Sequence, residues 1–123
     1  MTKKIFFDTY ALVEIYKGNL NYEKYKTGFQ VFLNKLNILE YVYFLMREER
    51  KENFTKVFEN LNRFNVNYDD EILVNAAKMK FKYKKNKVSF TDCVGYLLAK
   101  KHGAKFLTGD KEFEKLDNVE FVK

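Results

Sequence analysis

Four carboxylates in this chain stand in positions that call for explanation. Asp8 follows the apolar run Ile5–Phe7 directly, and Asp110 follows KFLTG, Lys105–Gly109. Glu40 is the only charge in NILEYVYFLM, Asn37–Met46. Asp92 lies in the first turn of a helix opened by SFTD, Ser89–Asp92. An ionised carboxylate beside apolar side chains is unfavourable unless it is paired, hydrogen-bonded or bound to metal. Each residue has a plain role when read alone. Asp8 and Asp110 end strands as turn residues. Asp92 shares a capping box with Ser89. Glu40 points to water near the favourable N-terminal end of its helix. Read together, they describe a cluster. Four negative charges at one place repel and raise one another's pKa values, and a divalent cation removes that penalty. Oxygen ligands suit Mg²⁺ or Mn²⁺, and Mg²⁺ takes only one or two carboxylates directly while keeping several waters. The chemistry that follows is metal-assisted hydrolysis of a phosphodiester.

The elements around these residues have to bring them to one edge. Lys4–Phe7 is a short strand. A helix follows Thr9 over Tyr10–Lys17 and stops at Gly18. Asn21–Thr27 is polar and helical, and Gln30–Leu33 is a second strand. Asn37 caps the helix ILEYVYFLMREE, which continues or turns into the segment 51–64. Asn65–Asn67 is a weak third strand. Asp69 caps a long helix reaching about Lys85. The Ser89–Asp92 box opens a helix to His102, with Lys100, Lys101 and His102 in its last turn and Gly103 as its left-handed stop. Phe106–Thr108 is a strand, Glu112–Lys115 a helical turn and Val119–Val122 a final strand. Strands alternate with helices, so the fold class is α/β: a three-layer αβα sandwich around a mostly parallel sheet. In such sheets ligands bind at the carboxyl ends of the strands, near the reversal of strand order. Asp8 and Asp110 occupy that position.

Length and composition set outer bounds. The chain has 123 residues, a usual size for one domain, and residues 1–123 are read as one. Apolar residues make up 46%, enough for a packed core and against disorder. The one cysteine, Cys93, rules out an internal disulfide and any multi-thiolate metal site. His102 is nine residues further along the same helix, roughly 13 Å away, so a Cys–His catalytic pair is excluded. No signal peptide or membrane span is visible, and the expectation is a soluble cytoplasmic protein. The net charge of +6 has a local source. KMKFKYKKNK, Lys78–Lys87, holds six lysines and no acid; without it 17 basic residues face 17 acidic ones. Such a run is either a solvated helix face or a contact for phosphates. On a helix Lys78, Lys82 and Lys85 share a face and are the candidate nucleic-acid-binding residues, while the interleaved Phe81 and Tyr83 stack on bases or pack inward.

With these residues in view, the sequence resembles the PIN domain family, and within it the VapC-type toxin ribonucleases. The resemblance covers nearly the whole chain. It rests on FFDTYALVEI around Asp8, NILEYVYFL around Glu40, SFTDCVGYLLAKKHGAKFLTGDKEF around Asp92 and Asp110, and the closing VEFV. It implies that Asp8, Glu40, Asp92 and Asp110 form the family's acidic quartet. Asp8 and Asp92 would be the direct Mg²⁺ ligands, with Asp110 completing or supporting the metal site. Glu40 would orient or activate the attacking water. Thr9 matches a small hydroxyl residue after the first aspartate, and Thr108 a threonine that steadies the site. The resemblance further implies a homodimer and a small antitoxin protein that holds the toxin inactive. Cys93 departs from the small residue that many relatives carry there.

Tyr41–Met46 gives six apolar or aromatic residues in a row, more than one buried stripe needs. Either this helix is buried within the monomer, or its second face meets another subunit or the antitoxin. Two other functions fit the same sequence: an RNA-processing PIN nuclease without an antitoxin, and a non-catalytic RNA-binding domain. Other aspartate-based phosphate enzymes fit poorly. Asp8-Thr9-Tyr10 lacks the second aspartate of a dehalogenase-like D-x-D, and Asp69–Asp70 open a helix instead of following the first strand, where a receiver domain needs paired acids. No glycine-rich phosphate loop is present.

Overall fold

A computed structural model describes residues 2–123. Four strands form one sheet: β1 (Lys3–Phe7), β2 (Phe29–Phe32), β3 (Lys105–Thr108) and β4 (Val119–Phe121). Their order is β2-β1-β3-β4, and every pairing is parallel. Five α-helices accompany them: α1 (Thr9–Tyr16), α2 (Lys35–Arg47), α3 (Phe54–Asn62), α4 (Asp70–Lys82) and α5 (Phe90–Lys101).

Side chains alternate across a strand, and the two faces of this sheet divide accordingly. Ile5, Phe7 and Leu107 point into one core with Leu12 of α1 and Ile38 and Val42 of α2. Phe6 and Phe106 point into the other, with Ile72 and Ala76 of α4 and Val94 and Leu98 of α5. The result is the expected αβα sandwich. Helix α5 comes close to the sheet through Gly95, where a Cβ would sit 2.9 Å from the Phe6 ring. Cys93 is a buried free thiol in that core.

Three local expectations change, and one left open is resolved. Asn34, not Asn37, caps α2; its side chain accepts the Leu36 N–H, and the Asn37 side chain accepts the Asn34 N–H in return. The helix starts a turn earlier because two asparagines three residues apart satisfy each other's backbone. The segment after α2 is a separate helix, α3, beyond a break at Glu49, which has φ 57. Asn65–Asn67 forms no third strand: it makes one isolated parallel bridge, Leu33 to Asn65, and the Asn65 amide side chain turns to Asn67. Helix α4 ends at Lys82, not near Lys85, because beyond the Tyr83 N–H, which still reaches back four residues to Met79, the Lys84 N–H bonds to Phe81 and the Asn86 N–H to Tyr83, only three residues back. Lys85 therefore lies beyond the helix and does not continue the face of Lys78 and Lys82.

Helix α2 buries Ile38 and Val42 in the core that holds Ile5, Phe7 and Leu107, buries Leu45 as well, and exposes Leu39, Tyr43 and Met46 on a second stripe. Its extra apolar residues are not covered within the monomer. Among the described residues no helix is long and apolar enough to cross a membrane.

Candidate active site

Sheet order puts β1 beside β3, and the chain leaves these two strands in opposite directions across the sheet. Their carboxyl ends form the switch-point crevice. Phe7 pairs with Leu107, and the Asp8 N–H donates to the Leu107 carbonyl at 3.3 Å. That register sets Asp8 beside Thr108, Gly109 and Asp110.

Each of the four carboxylates is aimed by a hydrogen bond through one oxygen. Asp8 caps α1, its Oδ1 accepting the Ala11 N–H at 2.8 Å. Asp92 is the third residue of α5; its Oδ2 accepts the Ser89 N–H at 3.2 Å, and Ser89 Oγ accepts the Asp92 N–H at 3.0 Å. Asp110 opens a short 3₁₀ turn, its Oδ1 accepting the Glu112 N–H at 3.0 Å. Glu40 Oε1 accepts from the Thr9 hydroxyl at 2.7 Å. Among the described residues, the second oxygens of Glu40, Asp92 and Asp110 accept no hydrogen bond. The capping roles and a common site are therefore compatible: in Asp92 and Asp110 one oxygen holds a helix start and the other remains available, while Asp8 meets Thr108 as well as Ala11. The N-termini of α1 and α5 bring their positive dipole ends to the same place.

The electrostatics show that the carboxylates form a cluster. Asp8 is almost fully buried, and burial pushes its pKa up to about 8. The Thr108 side chain and the Ala11 amide pull in the other direction, while the charges of Asp92 and Asp110 add to the rise. Asp92 is also raised, first by burial and then by Asp110 and Glu40, against the opposing bonds from Ser89. Thr108 links two members: it acts on Asp8, and its Oγ1 accepts the Asp110 N–H at 3.1 Å.

Two residues outside the expected set hold the site together. Asn37, one turn before Glu40, donates from its Nδ2 to the Phe7 carbonyl at 2.9 Å, tying the end of β1 to the start of α2. Its signal in the sequence is the Asn-x-x-Asn spacing at the helix start. Gly109 is the other. A Cβ there would stand 2.2 Å from the Tyr10 ring and 2.5 Å from the Val122 carbonyl oxygen, so only glycine fits between Thr108 and Asp110.

The donor set is made of oxygen atoms at shared negative charge, which suits a hard divalent cation. Among the described residues no three histidine, cysteine, aspartate or glutamate side chains make a ready-made cage.

The PIN domain family model matches residues 5–119. This chain belongs to the PIN domain family. Solved structures agree with the PIN fold. A toxin-antitoxin complex from Klebsiella pneumoniae superposes with a TM-score of 0.74 at 17% identity, over 94% of this chain and 95% of that one. PAE2754 from Pyrobaculum aerophilum gives 0.69 at 18% identity, over 99% and 92%. VapBC2 from Rickettsia felis, bound to a DNA fragment from its promoter, gives 0.62 at 14% identity, over 97% of each chain. A comparison with curated protein sequences gave no match. The matched residues reach all four strands of the sheet, and the carboxylate cluster lies at its carboxyl edge.

The lysine run divides in space. Lys78 and Lys82 line a groove with Tyr96, Lys100 and Asp117. Lys80 and Lys84 lie on another side, facing Phe81 and Phe90. Lys80 is near enough to the start of α5 to influence Cys93. Sequence spacing alone pointed to Lys78, Lys82 and Lys85; the packing of α4 on α5 sets Lys78 and Lys82 along the later turns of α5 and Lys80 at its first residue, Phe90.

Proposed function

We propose that this PIN domain is a divalent-metal-dependent ribonuclease acting in the cytoplasm as the toxin of a toxin–antitoxin pair. One observation carries the reading. Four carboxylates from separate elements gather at the switch point, and burial and mutual repulsion drive Asp8 and Asp92 towards protonation. Such a cluster ionises at neutral pH when a cation shares it. Membership in a nuclease family and the toxin–antitoxin relatives of like fold add support.

Asp8 and Asp92 would hold Mg²⁺, or Mn²⁺ in its place, with Asp110 completing the set. The bound ion supplies a water of lowered pKa and positive charge against the phosphate. Glu40, steadied by Thr9, takes the proton of the attacking water. Attack at phosphorus breaks one P–O ester bond, and the departing sugar oxygen takes up a proton from solvent. Thr108 keeps Asp8 and Asp110 in fixed relation throughout.

The antitoxin is proposed to cover the exposed stripe of Leu39, Tyr43 and Met46 on α2. Leu39 adjoins Glu40, so a protein seated there also shields the site. Pairing with a second copy rests on the family resemblance and on the same exposed stripe of α2; a monodisperse monomer by light scattering at high concentration rejects it.

The test is cleavage of total RNA with Mg²⁺, Mn²⁺ or EDTA, comparing wild type with Asp8→Asn. Metal-dependent cleavage that disappears in the variant supports the reading. A folded wild type that binds RNA but cleaves none under any metal overturns it in favour of a binding module.

A further inference from the structure

Two phenylalanines stand open to solvent where α4 ends and α5 begins. Phe81, near the end of α4, is 72% exposed, and Phe90, the first residue of α5, is 59% exposed. With Ala77, Lys80 and Lys84 they line one open depression of about 400 Å³. Phe90 and Asp92 share the first turn of α5. Exposing two large rings at one place is unfavourable for a free surface, and contiguous apolar patches mark contacts.

The charge around the rings says what kind of contact. From Ile72 to Thr91 there are six lysines and no acidic residue. Among the described residues, none of these six makes an ion pair. Lys84 Nζ lies 4.9 Å from the Phe81 ring centre, and Lys80 Nζ 5.2 Å from that of Phe90. Lys80 is fixed there by donating to the Val88 carbonyl at 2.7 Å. Lys84 is exposed and can turn to a phosphate. Aromatic faces interleaved with cations are how proteins hold unpaired strands: bases stack on the rings and the backbone follows the charge. A second copy of this chain is the other candidate occupant. A two-fold interface would put this patch against itself, lysines against lysines with no carboxylate between them.

We propose that Phe81 and Phe90, with Lys80 and Lys84, form a platform on which unpaired RNA bases stack, at the start of the helix that carries Asp92. This rests on the ribonuclease reading and assigns these four residues to the path of the strand. Bases inside a duplex present no open face to the rings.

The test uses fluorescein-labelled oligouridylate, alone and annealed to oligoadenylate, with binding followed by anisotropy in EDTA so that no strand is cut. The variants are Phe81→Leu/Phe90→Leu, which keeps apolar bulk but removes the rings, and Phe90→Tyr, which keeps a ring. The leucine pair is expected to weaken single-strand binding by about fivefold or more, the lower end of stacking on one aromatic side chain. Phe90→Tyr is expected to bind as wild type, duplex binding to be unchanged, and sedimentation and thermal melting to match wild type. Unchanged single-strand binding by the leucine pair overturns the platform. So does an alanine pair that converts a dimer to a monomer while the leucine pair still binds normally, since the face is then a contact between copies. Wild type that binds no RNA in EDTA overturns the platform, and total RNA left uncut by wild type with Mg²⁺ or Mn²⁺ overturns the ribonuclease reading itself and the platform with it.

Discussion

The Thr9 hydroxyl donates to Glu40 Oε1 at 2.7 Å across thirty-one positions of sequence. It joins the first residue of α1, directly after Asp8, to the second turn of α2. A hydroxyl bonded to a half-buried carboxylate fixes which way the free oxygen faces. Thr9→Val keeps the shape and removes the donor. It should lower the rate of RNA cleavage about tenfold, at the weaker end for a bond to a charged group. Thr9→Ser should retain most of the rate, and melting temperature should hardly move in either. Equal losses in valine and serine variants would show that the bond does not matter.

Asp8 gives the protein a pH dependence of definite sign. In the unfolded chain its carboxyl ionises near the ordinary 3.8, and in the folded protein near 8, chiefly through burial. Between those values the native state binds the extra proton. Its stabilising contribution is complete below pH 4 and is lost as pH rises towards 8. Metal-free protein should therefore melt at lower temperature at pH 8 than at pH 5. Asp8→Asn, which can still cap α1 by accepting the Ala11 N–H, should flatten that slope, raise stability at pH 8 and abolish cleavage. Added Mg²⁺ should stabilise wild type most at pH 8 and the variant little. Thermal melts across pH, with and without Mg²⁺, read all of this. A variant whose melting temperature tracks wild type across the range removes Asp8 as the cause.

Much of this site can be read from sequence because its parts are local. Asp8 and Asp110 follow strand runs directly, and the Ser89–Asp92 box is a three-residue spacing. Gly103, with φ 68, ends α5 as its position suggests. What could not be read depends on distant partners. Tyr22 and Tyr25 lie in a segment that looks polar, yet both are fully buried and reach the β4 end of the chain through Val122 and Glu120. They sit on a 3₁₀ segment, whose three-residue period leaves no α-helical stripe to detect. The role of Asn37 needed the Phe7 carbonyl, thirty residues away, to be in place. The separation of Lys80 from Lys82 needed the rotation of α4 against α5, which no spacing within α4 encodes.

The lysines should separate by substitution. Lys82→Glu/Lys85→Glu is expected to weaken RNA binding and flatten its dependence on salt, because each lost phosphate contact removes about 0.7 from the log–log slope for a single strand. Lys80→Gln/Lys84→Gln should flatten it as well and, lying by the platform, should also lower cleavage. Binding measured over a series of salt concentrations decides between them. A slope unchanged in the first pair assigns Lys82 and Lys85 to a solvated face; a slope unchanged in the second removes Lys80 and Lys84 from the RNA path.

Gly109 offers a test of how tightly the strand end is built. Its missing side chain lets the Tyr10 ring and the Val122 carbonyl close over the link between Thr108 and Asp110. A Cβ at 2.5 Å from a backbone oxygen cannot be relieved by turning a flexible side chain, so β3, β4 or α1 has to shift. Gly109→Ala should cost about 2 kcal/mol or more by overpacking. It should also displace Asp110 from Thr108 Oγ1 and so reduce cleavage beyond what lost stability accounts for. Chemical denaturation gives the first quantity, and cleavage at a temperature where the variant remains folded gives the second. Tyr10→Ala in the same chain removes the ring but not the carbonyl, and should recover only part of the stability. Full recovery would mean that the ring alone sets the limit and that the strand end has room to spare.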